Sequence, residues 1–91
     1  MELEVLYFGV LRDTSGGLTR QFIPVDGSVT SLAELIKFLE TRYGPDFAKA
    51  LAATKGLRIL INGREYQQTG GMETKIKDRD TVVLLPPIFG G

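Results

Sequence analysis

Ninety-one residues, 43% of them hydrophobic and 24% charged, describe one ordinary folded domain and leave no room for two. The 11 basic and 11 acidic side chains cancel, and no segment gathers lysine and arginine among aromatics, so neither nucleic acid nor an anionic membrane is an expected partner. With no cysteine and no histidine, thiol catalysis, zinc fingers, Ser-His dyads and histidine metal sites are excluded.

The longest apolar stretches, such as Val82-Val83-Leu84-Leu85, fall far short of the roughly 20 residues of a membrane helix. Met1-Glu2-Leu3-Glu4 lacks the basic start and apolar run of a signal peptide, so the cytoplasm is the expected compartment. A carboxylate-only metal site around Asp78 and Asp80 stays formally open, but turn residues before a strand are the better reading, and no metal is expected.

In chain order, residues 3–10 open as an alternation of Leu3, Val5 and Tyr7 against Glu2 and Glu4. They then turn apolar at every position through Leu6, Phe8 and Val10, as a strand does when both faces are in demand. Thr14-Ser15-Gly16-Gly17 supplies a turn, and residues 18–25 form a second extended run, which together predict a hairpin. Pro24 cannot donate to a ladder and belongs at an edge or strand end.

Leu32, Leu35, Ile36, Leu39 and Tyr43 recur at helical spacing along one face. Two starts fit: Ser28 as N-cap, or Ser31 as N-cap with Glu34 completing a capping box. Gly44-Pro45 ends this helix, and residues 45–51 suggest a short second one with Phe47 and Leu51 on one side. Residues 57–61 read as a third strand, closed by Asn62-Gly63 and continued by a short partner through Glu65 and Tyr66. Residues 67–75 read as loop, Asp78-Arg79-Asp80 as a turn, and residues 81–85 as a strong last strand stopped by Pro86-Pro87.

The expected fold is α+β, a mixed sheet of four to five strands packed on one main helix. The domain covers residues 1–87, and a flexible tail with its Gly-Gly tip covers residues 88–91. The stretch between the first hairpin and the last strands is long enough to hold the helical crossover that a parallel pairing demands.

Two features depart from a plain domain. One helix covers one face of a sheet, yet period-two alternation puts Leu6, Phe8, Val83 and Leu85 on the other face. Those four residues are a candidate partner surface; scattered exposed apolar side chains, or a loop folded over them, are the plainer alternative. The second feature is the ending, Pro86-Pro87-Ile88-Phe89-Gly90-Gly91. The prolines stiffen its root toward extended conformations, and the Gly90-Gly91 tip is narrow enough to enter a channel in another protein. A carboxyl on Gly91 would be poorly reactive until converted to an acyl adenylate, after which sulfur attack gives a thiocarboxylate and amine attack an amide.

The sequence resembles the MoaD and ThiS sulfur carriers of the ubiquitin-like superfamily, and MoaD, the small subunit of molybdopterin synthase, more closely. The marks are Tyr7-Phe8-Gly9-Val10-Leu11-Arg12-Asp13, Ile61-Asn62-Gly63, Gly70-Gly71-Met72-Glu73-Thr74 and the run from Asp78 to Gly91. The resemblance implies a ubiquitin-like β-grasp fold and a reacting carboxylate on Gly91. It implies as partners a ubiquitin-activator-like adenylating enzyme that consumes ATP, a sulfur donor, and the molybdopterin synthase large subunit or another sulfur-accepting enzyme. No bound cofactor and no catalytic side chains of the chain's own are implied. The family's partner surface would fall on Phe8 and Leu85, with Arg12 beside it or, equally, a solvated turn residue. The family often has Asp-Gly-Asp where this chain has Asp78-Arg79-Asp80, and a smaller residue where Ile88-Phe89 precedes the glycines. Other acceptors compatible with the same chemistry are thiazole, cysteine or tRNA thiolation pathways and protein lysines. A noncatalytic ubiquitin-fold binding module is the rival of another class.

Overall fold

The two strands that are apolar on both sides lie together at the centre of the sheet. In the computed structural model, which describes residues 1–17 and 19–86, β1 (Glu2–Tyr7) pairs in parallel with β5 (Thr81–Leu85), from Glu4 opposite Thr81 to Tyr7 opposite Leu84. β2 (Arg20–Pro24) runs antiparallel along the other side of β1. β3 (Arg58–Ile61) runs antiparallel to β5, and the two-residue β4 (Arg64–Glu65) follows the Asn62-Gly63 turn. The five-stranded order β2-β1-β5-β3-β4 is the β-grasp arrangement. Pro24 lies on the edge strand β2, where its missing N–H interrupts no interior ladder.

Residues 8–14 differ from expectation, while Ser15-Gly16-Gly17 forms the expected turn. The first strand stops at Tyr7, not Val10, because Gly9 takes φ 64°, ψ −139° and its carbonyl accepts from the N–H of Arg12 at 3.1 Å. A short helix, α1 (Val10–Thr14), follows and buries Leu11. Of the apolar run that read as a two-faced strand end, Leu6 stays in β1, Phe8 lies just past it and only Val10 enters the helix; the second strand begins at Arg20, and Leu18, expected to open it, lies outside the described residues.

The crossover between the hairpin and the last strands is α2 (Leu32–Tyr43) with α3 (Pro45–Ala53). Ser31 is the N-cap, its Oγ accepting from Glu34 N–H at 3.3 Å. Glu34 reaches back to Thr30 N–H (3.0 Å), one residue further than a standard capping box. Gly44 at φ 90° ends α2, and Pro45 starts α3, so the second helix is a full two turns and more. The segment read as loop contains 3₁₀ turns at Tyr66–Gln68 and Gly71–Glu73, so Tyr66 does not continue the short strand. No helix among the described residues is long and apolar enough to cross a membrane.

The core lies between one face of the sheet and the helices. Leu3, Val5, Tyr7, Ile23, Ile59, Val82 and Leu84 are buried with Leu32, Leu35, Leu39 and Phe47. Its aromatic centre is Tyr7, edge-on to Tyr43 at 5.6 Å and to Phe47 at 6.0 Å. The Tyr7 hydroxyl meets the Tyr43 hydroxyl at 2.9 Å, and Tyr43 donates onward to Gln21 Oε1, so the buried phenol is satisfied. Burial, then the Tyr43 hydrogen bond, pushes the Tyr7 pKa well up, keeping it neutral.

The turn into β5 is built by its own acids. Asp78 Oδ1 accepts Glu2 N–H at 2.7 Å; Asp80 Oδ2 accepts Lys77 N–H at 2.7 Å, and its Oδ1 accepts Asn62 Nδ2 at 2.9 Å. Arg79 sits at φ 68°, the left-handed conformation that glycine adopts freely, and this is the position where the resembling family often has glycine. Arg79→Gly is therefore expected to stabilise the domain by about 0.5–1 kcal/mol, the relief of strain exceeding the extra unfolded-state entropy and the loss of an exposed ion pair with Asp78. Thermal melting checks it: a rise of a few degrees is expected, and a fall would show that the turn holds Arg79 without strain.

Candidate functional site

The sheet face away from the helices carries an apolar centre between charged rims. Pairing register sets Arg20, Leu6, Val83, Leu60 and Glu65 opposite one another from β2 to β4, with Leu85 opposite Arg58 one pleat on. Leu6, Val83, Leu85 and Leu60 are only half-buried, while Phe8 is 42% and Phe22 56% exposed. The alternation of β1 and β5 thus brings Leu6, Val83 and Leu85 onto one face, with Phe8 just past the end of β1. Leu60 and Phe22 were missed by sequence reasoning. Each alternates with residues that pack in the core, but only knowledge that β3 flanks β5 and β2 flanks β1 places them on this surface.

The rims are neutralised in place. Arg20 pairs with Glu4 and lies over the Phe22 ring at 5.3 Å, and Arg58 Nε donates to Glu65 at 2.8 Å. An apolar stripe bordered by satisfied ion pairs can be covered without stranding a charge. Arg12 stands apart from the strand rows, on α1, exposed and 3.9 Å from Asp13; α1 packs against α3.

The same face leads to the tail. β5 carries Val83 and Leu85 and passes directly into Pro86, whose ring lies over Gly9; a Cβ added to Gly9 would come 3.2 Å from Pro86 Cγ. Phe8 N–H donates to Leu84 O at 3.2 Å, tying the end of β1 to the root of the tail. Pro87, Ile88, Phe89, Gly90 and Gly91 lie outside the described residues.

Glu4 is held ionised by the Thr81 hydroxyl at 2.9 Å and, less strongly, by Arg20, which together lower its pKa below its ordinary 4.5. Glu34, through Thr30 and then Ser31, and Asp26, through Ser28, are lowered likewise. Carboxylates with depressed folded pKa values contribute stability that is present above the unfolded values and lost as pH falls through the folded ones. The melting temperature is therefore expected to hold down to about pH 5 and to fall below it, with Glu4→Gln flattening the acid limb. An acid limb identical in Glu4→Gln would assign it to other groups.

With this geometry in view, the ThiS family model matches residues 5–91, nearly the whole chain. The chain belongs to the ThiS family. This ThiS-family chain is 30% identical over 94 residues to small archaeal modifier protein 3 of Haloferax volcanii, all of both chains being covered. It is similar to a chain of the Amycolatopsis orientalis BexX/CysO complex, with 26% identity, 98% and 99% of the two chains covered, and a TM-score of 0.75. The small archaeal modifier protein 1 of Methanosarcina acetivorans gives 26% identity, 99% and 96% coverage, and a TM-score of 0.74. These likenesses set the protein among the ubiquitin-like sulfur carriers and modifiers.

Proposed function

We propose that the chain is a sulfur carrier whose reacting group is the Gly91 carboxylate. The observation that carries this reading is the continuity of β5: the strand that places Val83 and Leu85 on the open apolar face runs straight into Pro86, so a partner seated on that face receives the tail. In the first step a carboxylate oxygen attacks the α-phosphorus of ATP, pyrophosphate leaves, and an acyl adenylate forms. Attack by a hydrosulfide equivalent at the acyl carbon then expels AMP and leaves a thiocarboxylate. The thiocarboxylate sulfur then bonds to the acceptor, and water attacks the acyl carbon, breaking the C–S bond so that the sulfur stays on the acceptor and the carboxylate is restored. The side chains that perform these steps belong to the adenylating enzyme and the acceptor; this chain supplies the terminus and the docking face.

The acceptor we put first is the large subunit of molybdopterin synthase, on the resemblance carried by Asp78 to Gly91. A second reading, attachment to protein lysines, is favoured by the full-length likeness to a protein named as an archaeal modifier. Deleting Gly91 is expected to abolish adenylate-dependent sulfur loading completely. Intact mass after incubation with ATP, sulfide and adenylating enzymes of the host reads it, the intact chain gaining the mass of sulfur for oxygen. Loading that persists without Gly91 would sink the proposal. No loading of the intact chain by any active adenylating enzyme would favour a noncatalytic binding module. Loaded protein offered a pterin precursor with the large subunit, or a lysine-bearing target, then separates the two acceptors.

A further inference from the structure

At the end of β5 opposite the tail, Ile61, Arg64, Thr69, Lys75, Lys77 and Asp80 line a cleft of about 370 Å³. Its three cations come from different segments: Arg64 from β4, Lys75 from the residue bridged to Ser31, and Lys77 from the turn before β5. All three are exposed. The ion pairs among the described residues are Arg12–Asp13, Arg20–Glu4, Arg58–Glu65 and Arg79–Asp78, and none of them involves Arg64, Lys75 or Lys77. Arg12, Arg20, Arg58 and Arg79 each have a carboxylate within 4 Å and Arg42 lies over the Tyr43 ring, while the cleft gathers three cations outside any of these ion pairs. Its one acid, Asp80, has both oxygens engaged, by Asn62 Nδ2 and by the Lys77 N–H.

We propose that this cleft binds an acidic, Asp/Glu-bearing segment of a partner protein. Three separated cations on flexible stems suit an extended chain of carboxylates. A compact phosphate is a poorer fit, because Asp80 sits among the cations and the nearby Lys77 N–H is already donated. A nucleic-acid strand is poorer still, since no aromatic side chain among the described residues lines the cleft to stack a base. Position gives the contact its use. β5 runs from Thr81 to Leu85, so the cleft and the tail root are separated by a strand of about 15 Å, and an acidic segment can hold the protein while the tail is engaged elsewhere.

The test is a titration of the isotope-labelled full-length protein with a polyglutamate peptide at low salt, followed by amide chemical shifts. Shifts confined to residues 61–64 and 69–80 are expected. Affinity is expected to fall by about two- to fivefold for each of Arg64→Gln, Lys75→Gln and Lys77→Gln, the range a surface ion pair supports, and to fall again at physiological salt. The control variant carrying Lys37→Gln, Lys49→Gln and Lys55→Gln is expected to bind unchanged. Shifts spread over all lysines, no shifts at all, equal weakening in the control, or tighter binding of a single-stranded oligonucleotide at the same cleft would each overturn the proposal. Melting temperature confirms that each variant is folded. The tail root at Pro86 lies at the other end of β5, so sulfur loading is expected to be unaffected, and this inference and the carrier reading fail separately.

Discussion

Replacing Phe8 and Leu85 together by aspartate is expected to weaken docking to the adenylating enzyme by about 30-fold or more while leaving the domain folded. The size follows from burying an unpaired charge at the centre of the proposed interface, where truncating a single anchor already removes about 2 kcal/mol or more of binding. The sparing of the fold follows from position. Phe8 is 42% exposed beyond the end of β1, and Leu85 lies on the face that no helix covers, so neither aspartate enters the core. Leu84, one residue away, is fully buried, and Leu84→Asp is the contrasting control that should prevent folding. Direct binding measurement and thermal melting separate the outcomes. Unchanged docking would remove the open face from the site, and a large loss of stability in the Phe8, Leu85 variant would reassign those residues to the core.

Phe47→Ala is expected to cost about 3–5 kcal/mol, a large part of the roughly 5–15 kcal/mol that keeps a domain folded. Phe47 is fully buried on α3, 5.1 Å from the Tyr43 ring and 6.0 Å from Tyr7, so truncation opens a void that three elements share. Denaturant unfolding should show the midpoint falling with little change in slope. Tyr7→Phe is the milder companion. It leaves the rings packed and removes one hydroxyl, for a loss of about 1–2 kcal/mol, because Tyr43 still donates to Gln21. A cost below about 1 kcal/mol for Phe47→Ala would mean that α3 packs loosely and that α2 alone closes the core.

The tail and the face are linked through Gly9. At φ 64°, ψ −139° it occupies a conformation closed to other residues, and the absence of a Cβ lets Pro86 lie against the backbone at the end of β1. The root of the tail at Pro86 thus packs on a glycine far away in sequence, in the motif Tyr7-Phe8-Gly9 that carries part of the family resemblance.

Much of this architecture was legible because local chemistry and tertiary demand agree. Alternation in residues 3–7 and 81–85, the helical spacing of Leu32 to Tyr43, the Gly44-Pro45 break and the Asn62-Gly63 turn each have one low-energy local solution, and the fold adopts it. The choice of Ser31 over Ser28 as N-cap was open in the sequence. It is settled by the bridge between Ser31 and Lys75 and by Leu32 N–H donating to Thr74 O, which fix where the helix can begin. The helix at Val10–Thr14 was illegible because five residues, Val-Leu-Arg-Asp-Thr, are too few to show a period; the turn at Gly9 and the burial of Leu11 go with its helical form.

By itself the sequence determined the strands and main helix and the apolar pairs Leu6 with Phe8 and Val83 with Leu85, because periodicity and glycine-proline chemistry act over a few residues. Tertiary structure alone decided that β3 lies beside β5, adding Leu60 to the open face, that Pro86 packs on Gly9, and that Arg64, Lys75 and Lys77 share one cleft. Those contacts join residues distant in the chain, and their register is set by the burial of the whole sheet.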